Sequence, residues 1–172
     1  MSKQWINSNT HKKFLAGLEL SKIAVWLAAQ ILEDQGHSPK VNHTKAAPSH
    51  KVRGQYIDDG DIEIDDGIVE VKWFSGDKYS FTNRQSWRFP FVIVCPQKQL
   101  HYKSAPVQRL YFNNKLSHYI HITPDAVNPN NIKEIFDTRY RVKNKVVVAK
   151  NDDVSFLPVP SHIIMRYKKV VE

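Results

Sequence analysis

Asp61, Glu63, Glu70 and Lys72 lie within twelve residues of one another: three carboxylates that can ligate a hard cation and one amine that can neutralise or position an anion. They belong to the segment Asp61-Ile62-Glu63-Ile64-Asp65-Asp66-Gly67-Ile68-Val69-Glu70-Val71-Lys72. Asp66-Gly67 is a two-residue hairpin signal. With those residues as the turn, Asp65 faces Ile68, Glu63 faces Glu70 and Asp61 faces Lys72. Directly opposed residues point to the same side of a sheet. Ile62, Ile64, Val69 and Val71 then enter the core, and Asp61, Glu63, Glu70 and Lys72 share the other face. A three-residue turn would shift the register by one and mix the faces. Glu63 opposite Glu70 is a like-charge pair, which costs stability unless a cation sits near it. Lys72 supplies part of that charge and a divalent cation supplies more. Hard oxygen ligands select Mg2+, with Mn2+ able to substitute. The competing reading is an exposed hairpin whose charges point into water.

The elements that must position this hairpin follow from periodicity. Phe14, Leu18, Val25 and Leu32 form one stripe, widened by Leu20, Ile23, Leu27 and Ile31, which predicts a helix over 11–35. Gly36 is its C-cap and Pro39 follows. The histidine-bearing stretch 42–54 reads as a loop. Strands are expected over 61–65 and 68–73, then over 91–95, a run apolar enough to be central. Further strands are expected near 119–122, 142–149 and 154–159, with a short helix near 131–136. This order predicts a mixed α/β fold with a helix against a sheet. The 172 residues suit one domain, with a core over about 11–123 and a C-terminal elaboration over 124–172. The lone Cys95 reads as a buried free thiol, excluding a disulfide or a cysteine-based zinc site within one chain.

Charge is distributed unevenly. The net charge is +8, yet seven of the seventeen acids fall between Asp58 and Glu70. From Lys78 to Pro124 there is no acid, and seven cations: Lys78, Arg84, Arg88, Lys98, Lys103, Arg109 and Lys115. An acidic knot beside a long basic stretch suits a metal-using enzyme of a polyanion, with cations holding phosphates and carboxylates holding the metal. A polar start and the lack of any run near the roughly 18 apolar residues of a membrane span point to a soluble, cytoplasmic protein without a membrane partner.

With the hairpin placed, the residues resemble the PD-(D/E)XK nuclease superfamily, whose signature is an aspartate at the head of one strand and Glu-x-Lys on the next. Those positions are Asp61 and Glu70-Val71-Lys72, and the order of helix, hairpin and buried strand also fits. The similarity covers about residues 14–95, and Gly60 stands where the family often has proline. The resemblance implies a restriction-endonuclease-like core, a mixed β-sheet flanked by helices. It implies an endonuclease hydrolysing DNA phosphodiesters, in which Asp61 and Glu70 ligate Mg2+, joined by Glu63 or by Glu19 on the preceding helix. Asp59 is the rival for the first aspartate. Lys72 would orient the attacking water and stabilise the transition state. Lys78, Arg84, Gln85 and Arg88, on the segment after the Glu-x-Lys strand, are the implied DNA contacts, while Trp87 and Phe89 read as core. The substrate would be duplex or branched DNA, and a homodimer would cut two strands. His118 and His121 fall on opposite strand faces, a poor basis for shared ligation. The alternative from another class is a non-catalytic nucleic-acid-binding protein with a nuclease-like fold.

Overall fold

The computed structural model describes residues 21–42, 61–100, 106–138 and 140–171. The expected ligand Glu19, Asp59 as the rival of Asp61, and most of the 42–54 loop lie outside these residues. Helix α1 covers 21–34 of the described chain. Nine strands follow: β1 Lys40–Val41, β2 Ile62–Ile64, β3 Gly67–Trp73, β4 Phe91–Pro96, β5 Val107–Phe112, β6 His118–Ile122, β7 Ile132–Asp137, β8 Val142–Lys150 and β9 Ser155–Pro158. Helix α2, Ser161–Val171, ends the chain's ordered elements. α1 stops as its sequence predicts. Gly36 has φ +88°, the His37 amide donates to the Leu32 carbonyl and the Gly36 amide to that of Glu33, which is a Schellman cap.

The strands form two sheets. The larger is ordered β1-β2-β3-β5-β6-β9 and the smaller β4-β8-β7. β3 and β5 run parallel, and every other described pairing is antiparallel. The chain is therefore mixed α/β in three layers, because alternation gives the large sheet two apolar faces. On one face Ile62, Val69, Leu110 and Phe112 pack with Ala24, Leu27 and Leu32 of α1 and Ile163 of α2. On the other, Tyr111, Ile120 and Ile122 pack with Val92, Val94, Val147 and Ala149 of the small sheet, sealed by Phe81 and Trp87. Each fully buried aliphatic side chain contributes about 1.5–3 kcal/mol. Covered on both faces, β5 is the central strand, and its residues from Arg109 to Phe112 are all buried. Among the described residues no helix is long and apolar enough to cross a membrane.

Three expectations are corrected. The run at 91–95 is not central: β4 is an edge of the small sheet. The segment near 131–136 is a strand, not a helix. Ile132, Ile135 and Phe136 suit a helical stripe, but six residue pairs with β8 satisfy the backbone instead. The hairpin turn is Asp65-Asp66, with Ile64 opposite Gly67, Glu63 opposite Ile68 and Ile62 opposite Val69. The faces are those expected, but the register moves by two residues, so Glu63 does not oppose Glu70 and Asp61 does not oppose Lys72. Continuing the ladder sets Asp61 opposite Glu70.

Gly67 lies in the ladder, opposite Ile64, and not in the turn. It has no positive φ and is not needed as a turn residue. Instead a Cβ there would lie 2.5 Å from the Pro106 carbonyl oxygen, which accepts the Ile68 amide at 2.9 Å. Glycine lets the start of β3 close against the entry to β5. Gly67→Ala should therefore lower the unfolding free energy by about 1–3 kcal/mol, the usual cost of overpacking. Urea denaturation measures this, and a loss below about 0.5 kcal/mol, within the range of neutral surface changes, would contradict the close approach.

Candidate active site

The site is built around the polar face of β3. Ile68, Glu70 and Lys72 alternate with Val69, Val71 and Trp73, which turn toward the helices. β2 lies on one side of β3 and β5 on the other. Their registers place Asp61 and Arg109 as the lateral neighbours of Glu70, and Tyr111 as that of Lys72. Asp61 ends β2's ladder in a specific way: its Oδ2 accepts the Val71 amide at 2.7 Å. The carboxylate replaces a backbone acceptor where the strand stops, while the Asp61 carbonyl takes the Asn42 amide at 2.9 Å. Asp61 is thus held at the β3 edge, level with Glu70 and Lys72.

Lys72 is exposed, and its Nζ lies 4.9 Å from the centre of the Tyr111 ring and 5.8 Å from that of Phe74. Cation–π attraction favours this placement of the amine over the rings. Tyr111 is fixed in turn by a 2.7 Å bond from its hydroxyl to the Val94 carbonyl. Val94 is the extra residue of a β-bulge in β4, between the Ile93–Val148 and Cys95–Val147 pairs. The aromatic platform under Lys72 is therefore tied to the second sheet.

Arg109 was counted in the basic stretch but not foreseen as part of the site. It is only 8% exposed and stands next to Glu70 in the parallel ladder. Its guanidinium also reaches the Cys95 and Tyr111 side chains. Burial pushes the Cys95 thiol pKa up, opposed by the charges of Arg109 and Lys72. Burial also raises that of Tyr111, so its hydroxyl stays protonated and a donor. A single cation inside the otherwise apolar strand Val107–Phe112 was the sequence signal for this position.

Glu63 goes elsewhere. Its carboxylate receives the Asn42 side chain at 3.2 Å and pairs with Lys40 at 3.5 Å. The structure thus ties Asp61 to the β3 backbone at Val71, between Glu70 and Lys72 in the strand, and turns Glu63 toward β1. Among the described residues no group of three or more His, Cys, Asp and Glu side chains is placed to hold a metal. A two-carboxylate set remains chemically suited to Mg2+, which keeps several waters and commonly binds through one or two carboxylates plus substrate phosphate.

Lys78, Arg84, Gln85 and Arg88 are all exposed on the segment between β3 and β4. Phe81 and Trp87 anchor that segment in the core, and Ser86 and Asn83 shape its turn through reciprocal bonds. Trp87 is buried and Phe89 packs 4.9 Å from it, the core placement expected. Arg84 pairs with Asp152 at 2.6 Å, so it would have to exchange that carboxylate for a phosphate. Lys78 lies over the Tyr79 ring. His118 meets Ser117, and His121 meets Gln108 across the strand, on opposite faces.

Asp61→Ala should cost about 1–3 kcal/mol, because the Val71 amide loses its acceptor in a half-buried place. Asp61→Asn keeps an acceptor and should cost less than half as much. Chemical denaturation of the two variants measures the difference, and equal losses would show that the bond to Val71 is not what holds Asp61. No family model, curated protein or solved structure matches this chain.

Proposed function

We propose that the chain is a metal-dependent DNA endonuclease, with Asp61 and Glu70 as the metal-holding pair and Lys72 as the residue that acts on the water and the transition state. The observation that carries this is the bond from the Val71 amide to Asp61 Oδ2, which ties Asp61 to β3 between Glu70 and Lys72, two residues that share one face of that strand. Two carboxylates so placed repel one another, and the pairing supports a site whose natural complement is a divalent cation.

Bound there, Mg2+ would polarise the scissile phosphate and lower the pKa of a water. The residues do the rest. Val71 fixes one Asp61 oxygen, so the carboxylate presents a set orientation. Tyr111 and Phe74 hold the Lys72 amine over the sheet face, where it would stabilise phosphate charge and orient a water. Arg109 supplies a buried positive charge at the β5 position paired with Glu70. Lys78, Gln85 and Arg88 are available to hold the flanking DNA backbone.

A non-catalytic nucleic-acid-binding role is favoured by one observation, the diversion of Glu63 to Lys40 and Asn42. Nicking of supercoiled plasmid separates the two. The nuclease reading predicts Mg2+-dependent conversion to open circles, abolished by EDTA. Lys72→Ala should slow it by about 10²–10³, the usual loss for one transition-state contact, with DNA affinity in EDTA nearly unchanged. No nicking by the folded wild-type chain with Mg2+ or Mn2+, over linear, single-stranded and four-way substrates, contradicts the reading.

A further inference from the structure

β7 and β8 form a hairpin of which only one half belongs to the packed body. β4 pairs with β8 through Val146 to Lys150. Over 142–145, β8 pairs with β7 alone among the described strands, and all four of these residues are exposed. Their partners are Asp137, Phe136, Ile135 and Glu134. A two-stranded ribbon is marginally stable in water by itself. Even so, it exposes Phe136 (58%), Tyr140 (53%) and Val142 (44%), three of the five large apolar side chains most open to solvent among the described residues.

The ribbon is also strongly basic. Over 133–145 there are five cations, Lys133, Arg139, Arg141, Lys143 and Lys145, against two acids. Lys143 is paired with Glu134. Arg141 and Lys145 have no carboxylate within ion-pair distance among the described residues. Lysine is depleted at protein–protein interfaces, so apolar groups set among unpaired cations favour a polyanion over a protein partner.

Size and direction agree. Four residue pairs project about 13 Å, enough to reach the floor of a major groove about 12 Å wide and about 8.5 Å deep, which admits a two-stranded ribbon. The free half leaves the small sheet beyond Val146, at the end where Cys95 pairs with Val147 and its thiol lies near the charges of Arg109 and Lys72. It therefore starts from the end of that sheet nearest Glu70 and Lys72.

We infer that the free half of the β7–β8 ribbon is a duplex-DNA-contacting arm, its cations on phosphates and Phe136 and Tyr140 against the groove wall. This rests on DNA as the substrate of the proposed site, but not on cleavage. The test is fluorescence anisotropy of the full chain with a labelled duplex of about 25 base pairs, long enough to span more than two helical turns, in EDTA across a salt series. The double substitution Arg141→Gln, Lys145→Gln alters two exposed, unpaired side chains and should leave the melting temperature unchanged. It should reduce the slope of log affinity against log salt by about two. Lys168→Gln, on α2 in the helical layer, should leave the slope as it is. The inference is overturned if the double variant keeps the wild-type slope. It is equally overturned if the wild-type chain fails to bind duplex, or binds phosphatidylserine vesicles instead. A chain that shows the predicted change yet never nicks plasmid retains the arm and loses the nuclease reading. One that nicks plasmid while the double variant keeps its slope loses the arm alone.

Discussion

The parallel pairing of β3 with β5 governs the rest of the structure, because it gives β3 a neighbour on each side and lets each neighbour bring a charge to Glu70. Asp61 arrives from β2 and Arg109 from β5. The pairing begins with the Ile68 amide on the Pro106 carbonyl and requires Gly67 at the point of closest approach. Moving β3 by one residue along β5 would carry Glu70 and Lys72 to the helical face and destroy both the core and the site. Stability of the fold and geometry of the site thus share one contact.

Electrostatics set what the arrangement can do. Neighbouring carboxylates repel one another, more strongly where bulk water is partly excluded. Arg109, buried beside Glu70, offsets part of that in the protein itself. Lys72 contributes less to the ground state, since its amine lies over Tyr111 and Phe74 and is exposed. Arg109 is thus the buried cation of this face and Lys72 the exposed one. The second sheet enters this balance through the Val94 bulge, whose carbonyl orients Tyr111.

Much of this was legible in the amino-acid sequence where alternation speaks directly. Ile62, Ile64, Val69 and Val71 sort the hairpin's faces without any tertiary information. The register was not legible, because Asp66-Gly67 reads as a turn until Gly67 is seen packed against Pro106, thirty-nine residues on in the chain and near it only in the fold. β5 escaped notice because Gln108 and Arg109 interrupt an otherwise apolar strand, and Arg109 is tolerated inside only through its polar neighbours. α2 also escaped notice, being short and rich in cations. At 132–136 the apolar spacing fits a helix as well as a strand, and only the partner strand decides. Asp61, Glu70 and Lys72 could be grouped from sequence, whereas the diversion of Glu63 depends on Lys40 and Asn42 across β1.

The central claim is that Asp61 and Glu70 jointly hold one divalent cation. Paramagnetic broadening of backbone amide resonances by substoichiometric Mn2+ tests it most directly, since it reports position without requiring turnover. The account predicts that the amides of Asp61, Glu70, Val71 and Lys72 broaden first, that excess Mg2+ reverses the effect, and that Asp61→Asn weakens it strongly. Broadening confined to other acids, such as Asp152 and Asp153, or none at all on the hairpin at millimolar Mn2+, would contradict it.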